Sequence, residues 1–256
     1  QKTAYEIRLS LVGSEMCIRD RSVTAEEAKR TLRKLADPKA AQFLAGFFKT
    51  GPGQYADGDK FLGIKVPITR DVAKNFIEMP LSQLRILIRS EWHEERLMAL
   101  VLLVNQFAKG NEEQRRAIYE FYLQHTRYIN NWDLVDMSAP GIVGRYLMDH
   151  SRAILKKLTV SKMLWERRIA IVSTQYLIRK DQHADTLALS KMLLKDSEDL
   201  MHKAVGWMLR EVGKRDRPTL VGFLNQHRLK MPRTALRYAI EHFSPAERAR
   251  FLSSEI

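Results

Sequence analysis

The sequence predicts an all-α fold, an α-solenoid of stacked two-helix units around a concave basic cleft. Three observations predict it. From Ser22 onward apolar residues recur at helical spacing, and no alternating strand pattern interrupts them. Capping and breaking residues divide the chain into short helical lengths. Five segments, EERLMALVLL, NWDLVDMSAP, ERRIAIVSTQ, MHKAVGWMLR and PRTALRYAIE, then align with Arg96, Asp133, Arg168, Lys203 and Thr234 in equivalent places, 37, 35, 35 and 31 residues apart. That interval is the length of a helix pair, and a stack of pairs buries a continuous core while presenting a curved face.

The elements follow in order. Residues 1–21 stand apart: YEIRLSLVGSEMCIRDR has no helical stripe, resembles a translated adaptor sequence, and is expected to be a non-native or disordered extension. Thr24 with Glu27 three residues later makes a capping box for a first helix to about Ala36. Pro38 opens a second helix to Lys49, since proline suits a first helical position. The glycine-rich stretch TGPGQYADGDK, residues 50–60, lacks the GK[ST] ending of a phosphate loop and reads as a linker or binding loop. After FLGIKVPITR, helices are expected at 67–77, 80–89, 93–108, 112–126, 131–147, 149–157, 161–179, 184–195, 199–214, 217–226, 232–242 and 245–253.

Composition limits the function classes. The longest apolar run, Leu97 to Val104, falls far short of the roughly 20 residues a membrane-spanning helix needs, so no membrane association is expected. The net charge of +13 is uneven: residues 1–150 carry 22 basic and 19 acidic side chains, residues 151–256 carry 21 and 11. Such asymmetry fits a polyanionic partner for the second half, nucleic acid above all, and is also compatible with an anionic membrane surface or with solubility alone. The one cysteine, Cys17, permits no intrachain disulfide, which suits a cytoplasmic setting. The seven histidines lack any paired ligand spacing, so no metal and no cofactor is expected, and each histidine reads as a core or surface residue.

Chemistry concentrates in NNWDLVDMSAP. Trp132 and Asp136 are four apart, so a helix sets an indole and a carboxylate on one face, a pair suited to a cationic ligand. Arg167 and Arg168 open a helix, where the dipole disfavours cations unless an anion such as Asp136 or a phosphate lies close. In HKAVGWMLREVGK, Gly206 permits close approach of another group beside Trp207, and Arg210 follows three residues later. Trp132, Arg168 and Trp207 fall at or near one register position of three successive inner helices, which would line one concave surface.

WDLVD, WERRIAI, KAVGWMLRE and FLGIKVP, in one chain, resemble the AlkD family of DNA alkylation repair glycosylases, over about residues 25–245. The resemblance implies one HEAT-like repeat glycosylase domain over residues 22–256. It carries over Trp132 and Trp207 as active-site tryptophans, Asp136 as the catalytic aspartate, Arg168 as a cleft arginine and Arg210 as a backbone-contacting arginine. Tyr55, Lys65 and Arg70 occupy DNA-contacting places, although the Tyr55 spacing differs by one residue and Lys65 replaces an uncharged polar group. The implied activity is excision of cationic N3- or N7-alkylated purines from duplex DNA by a monomer. It needs no base flipping, tolerates bulky adducts and is nucleoid-associated when acting. A non-catalytic HEAT-like repeat protein, binding nucleic acid or a protein partner, is the alternative.

Overall fold

A computed structural model describes residues 23–253, and within them the chain is all-α. The expectation for residues 1–21, including Cys17, lies outside the described residues. In chain order the helices are α1 (Ala25–Arg33), α2 (Pro38–Phe47), α3 (Val66–Ala73), α4 (Leu81–Ile88), α5 (His93–Lys109), α6 (Glu112–Gln124) and α7 (Trp132–Ala139). They continue with α8 (Ala153–Thr159), α9 (Leu164–Ile178), α10 (Ala184–Leu193), α11 (Asp199–Arg215), α12 (Arg217–His227), α13 (Arg233–Ala239) and α14 (Pro245–Leu252). The extended contacts are limited to a single bridge between Lys60 and Trp92 among the described residues.

Pairs of helices stack as the periodicity predicts. α5, α7, α9, α11 and α13 pack each against the next, and α8, α10 and α12 pack on their outer side. The inner members are buried on most faces: every residue of α5 from His93 to Leu103 is buried, and α9 hides Ile169, Ala170, Ile171 and Val172 completely. One continuous apolar cluster therefore runs from Ala25 to Phe251.

A repeated hydrogen-bonded bracket fixes the register. Ser90 Oγ accepts from Trp92 N (3.0 Å) and donates to Glu95 (2.6 Å), while Arg96 donates to the Ser90 carbonyl (2.9 Å). Ser161, Met163, Glu166 and Arg167 repeat this at 3.1, 2.5 and 3.0 Å. Asp196 accepts from Glu198 N (3.0 Å) and its carbonyl from His202 Nε2 (2.6 Å). Arg96, Arg167 and His202 are thus equivalent, which corrects the sequence alignment by one residue at its first segment: Leu97, not Arg96, shares the register of Arg168 and Lys203. Two adjacent arginines at 167 and 168 had left that choice open.

The expected helix at 131–147 contains a wide turn. Pro140 has no N–H to donate to the Asp136 carbonyl, and Pro140–Gly144 form a π-turn, with Arg145 N bonded to the Pro140 carbonyl. Gly144 lies so close to α9 that a Cβ there would stand 2.1 Å from the Ser173 carbonyl. Thr24 caps α1 through Glu27 N at 3.2 Å.

The glycine-rich stretch is folded against the stack. FLGIK is seized by a buried carboxylate on α5: Glu94 accepts from Leu62 N (2.8 Å), Gly63 N (2.8 Å) and Ile64 N (3.1 Å). Gly63 takes φ +85°, and a Cβ there would meet the Asp37 carbonyl at 2.1 Å, whereas Gly58, at φ +77°, faces open space. Gly63→Ala is expected to cost roughly 3 kcal/mol or more, and Gly58→Ala only the 1–2 kcal/mol or so of left-handed strain. Urea-unfolding midpoints of the two variants check the difference.

Candidate active site

α7 begins at Trp132, with Asn131 as its N-cap accepting from Trp132 N at 2.8 Å. The indole is half-buried and held on two sides. Its face stacks on Phe48 at 5.2 Å and 27°, its edge meets Phe47 at 6.1 Å, and its Nε1 donates to the Tyr55 hydroxyl at 3.3 Å. Tyr55 in turn sets an edge against Trp165 at the start of α9, 6.1 Å away. The loop read as a linker or binding loop thus brings Tyr55 to two inner helices.

One turn on, Asp136 meets Arg168 of α9. Arg168 Nε and Nη2 donate to the two carboxylate oxygens at 2.8 Å each, a bidentate fork, and its Nη1 donates to the Leu200 carbonyl of α11 at 2.7 Å. Arg168 is buried, but 18% of the Asp136 side chain stays open to solvent. Burial pushes the Asp136 carboxyl above the ordinary aspartate value, the Arg168 hydrogen bonds and charge opposing it, and Asp133 adds a small further rise. The dipole cost expected for cations in the first turn of α9 is met by carboxylates: Arg167 pairs with Asp196 at 2.7 Å and Arg168 with Asp136.

Trp207 is half-buried on α11, against the edge of the core, and its ring stacks on no other aromatic among the described residues. Gly206 beside it serves helix packing: a Cβ would stand 2.5 Å from the Ala235 carbonyl of α13. Arg210 pairs with Glu241 and, at 3.6 Å, with Glu211. Lys65 is the exposed residue preceding α3, and Arg70, near its end, is exposed as well. Arg70, Lys74, Asn105 and Lys109 rim an open groove of about 610 Å³ floored by Val101, Val104 and Met137, the residue after Asp136. The structure thus joins Tyr55 to Trp132 and Asp136 to Arg168 by direct contacts, the two pairs meeting α7 one turn apart, and sets Arg70 on the adjoining groove; among the described residues no hydrogen bond, ion pair or ring contact links Trp207, Arg210 or Lys65 to either pair.

A second ionic chain lies behind Trp132, and sequence reasoning missed it. His93 Nε2 bonds Asp133 at 2.8 Å, its Nδ1 bonds Asp59 at 3.1 Å, and Asp59 is also paired with Arg96. The ring, read from sequence only as a core or surface residue, stacks on Phe61 at 4.6 Å. Burial lowers the His93 pKa, but the hydrogen bonds from Asp133 and Asp59 outweigh it and raise the pKa to about 9. Asp133 Oδ1 and Asn131 Nδ2 are buried without a hydrogen-bond partner among the described residues. The signal available in sequence was an acid next to Trp132 and a histidine opening α5, forty residues apart. Among the described residues no group of three or more His, Cys, Asp or Glu side chains is arranged to hold a metal ion, and no helix is long and apolar enough to cross a membrane.

The fold and this site define a class: a helical-repeat protein in which successive inner helices contribute an indole, a carboxylate and a guanidinium to one surface. The family model for DNA alkylation repair enzymes matches residues 28–243, and the chain belongs to that family. Its structure is similar to a solved one described as a predicted DNA alkylation repair enzyme from Enterococcus faecalis, at 18% identity and a TM-score of 0.64, covering 82% of this chain and 97% of that one. At that identity the likeness concerns the fold. No curated protein matches the sequence.

A histidine whose folded pKa lies above its unfolded value stabilises fully below the unfolded pKa and loses that contribution as pH rises through the folded one. Stability is therefore expected to fall between about pH 6.5 and 9, by on the order of 3 kcal/mol. Urea midpoints measured across that range check the slope, which His93→Gln should flatten.

Proposed function

We propose that the protein is a DNA glycosylase that hydrolyses the N-glycosidic bond of cationic N3- or N7-alkylated purines in duplex DNA, 3-methyladenine and 7-methylguanine among them. The observation that carries the reading is Asp136: a carboxylate set deep enough to be oriented, still reachable from solvent, and flanked by Trp132 one turn away. Family membership supplies the alkylation-repair setting.

The chemistry asks little of an acid. An alkylated purine already carries positive charge, so the bond electrons pass to the base and it leaves neutral. The deoxyribose becomes oxocarbenium-like, water adds at the anomeric carbon, and the proton it loses passes to the carboxylate and on to solvent. Asp136 opposes the developing positive charge and orients that water. Arg168 occupies one lone pair on each carboxylate oxygen, which leaves others for water. Trp132 and Trp207 line the sugar and phosphate edge and stabilise cationic character through their ring faces. No base flipping is required of such a surface, and bulky adducts are accommodated.

DNA is held chiefly through phosphates by Arg70, Lys65 and Tyr55 on one side and by the basic second half on the other. Arg210 contributes once a phosphate replaces Glu241 as its partner. The protein works as a monomer.

The test is release of 7-methylguanine from methylated duplex DNA. Asp136→Asn should lower the excision rate about 100-fold or more while duplex affinity changes little, because the carboxylate acts in the transition state. Wild-type excision should also fall as pH drops through the raised Asp136 pKa, since only the ionised carboxylate works. A wild-type protein that binds duplex DNA at low salt and excises nothing would return the chain to the non-catalytic alternative.

A further inference from the structure

We propose that His93 is a positioning residue for this site: clamped as an imidazolium between Asp59 and Asp133, it fixes the first turn of α7 and sets the basicity of Asp136 through Asp133. This rests on the reading of Asp136 given above.

The geometry fits the doubly protonated ring. Both ring nitrogens face carboxylates, Asp59 at 3.1 Å and Asp133 at 2.8 Å, and an ionised carboxylate accepts from an N–H on each side; although burial opposes it, the hydrogen bond to His93 and the Arg96 charge hold the Asp59 carboxyl below the ordinary aspartate value. The charged groups facing the ring are Asp59 from the loop before α3, Asp133 from α7 and Arg96 from its own helix. Arg96 also holds Asp59, so two cations and two anions form a balanced buried quartet. The side chains of His93, Arg96 and Asp59 are only 3–4% exposed and that of Asp133 15%, so solvent screens an imbalance within the quartet only weakly.

Two routes lead from the ring to the site. The first is packing. Phe61 and Phe48 lie against the imidazole at 4.6 and 5.2 Å, and Phe48 carries Trp132 on its ring at 5.2 Å. The second is charge. Asp133 is followed three residues later by Asp136, near enough on the helix to raise its pKa. With His93 protonated, the Asp133 charge is partly compensated, and Asp136 ionises against its own burial and a residual repulsion from Asp133. With a neutral residue in that place, Asp136 ionises beside an uncompensated anion.

Carbonyl-carbon NMR titration of the Asp136 carboxyl, run alongside the pH profile of 7-methylguanine excision, tests this. In His93→Gln, which keeps a side-chain N–H but no charge, both titrations should move to higher pH by roughly one unit, with KM for duplex DNA little changed. The double variant His93→Gln/Asp133→Asn should bring them back. If His93→Gln fails to fold, nitrogen NMR of the His93 ring in the wild type serves: both ring nitrogens should carry a proton near neutral pH, and a neutral ring there overturns the proposal. An Asp136 titration that stays in place in these variants overturns the proposal, whatever happens to the rate. Absence of excision in the wild type would sink the glycosylase reading, while the NMR titration still judges the role of His93.

Discussion

One guanidinium ties the working face of this protein together. Arg168 is rooted in α9, takes both oxygens of Asp136 on α7, and donates its remaining bond to the Leu200 carbonyl at the start of α11. Three successive inner helices thus meet at one side chain. Removing one partner of such a buried pair leaves an uncompensated charge, typically at a cost of about 3–5 kcal/mol. The register of neighbouring repeats must therefore hold to within a fraction of an ångström, and the serine and aspartate brackets at residues 90, 161 and 196 are what hold it. They terminate the turn before each inner helix in the same geometry, so the first-turn side chains of α5, α9 and α11 emerge at matching heights.

Carboxylate chemistry in this setting is a balance between two opposed effects. Burial favours the neutral acid, and the bidentate arginine favours the anion. An aspartate left fully in water would be ionised but mobile, and one buried without Arg168 would be protonated and inert. The partial opening of Asp136 lies between these extremes. It leaves a carboxylate of fixed orientation open to a water molecule, and in the proposed hydrolysis little reorganisation would then remain. The π-turn at Pro140 belongs to the same arrangement, because proline leaves the Asp136 carbonyl without its usual i+4 partner just where α7 bends toward α9.

What the sequence revealed divides along physical lines. Features set by local geometry were legible: the helix pairs and their period, the Trp132–Asp136 spacing, and the anion that Arg168 needs at the start of its helix. Features that depend on contacts between repeats were not. His93, Asp59 and Asp133 are separated by 34 and 40 residues and come from a loop and two helices, so no spacing rule links them. The loop at residues 50–60 read as a linker or binding loop because it is rich in glycine and lacks the ending of a phosphate loop. Its order comes from Glu94 gripping the adjacent FLGIK amides and from Asp59 inside the ionic quartet, neither of which is a property of the loop's own composition. Arg210 likewise gave no sign of Glu241, 31 residues on.

The charge asymmetry also takes a different meaning once side chains are located. In the second half, the cations on the inner helices are largely committed: Arg167, Arg168, Lys203, Arg210 and Lys214 each hold an acid. The surplus includes Lys156 and Lys157 on α8 and Lys191 on α10, members of the outer layer. Exposed charges act through the field over about a Debye length, roughly 10 Å at 0.1 M salt, whether or not they touch a ligand. Charge on outer helices therefore raises the rate of encounter with a polyanion without fixing how it lies. Orientation must come from the few cations free to form contacts near Asp136, and Arg70 and Lys109 on the groove beside Met137 are such groups. Net charge and contact charge are thus separate quantities in this fold: the surplus on the outer helices sets the field that a polyanion meets, and only the uncommitted cations near the site can fix how it lies.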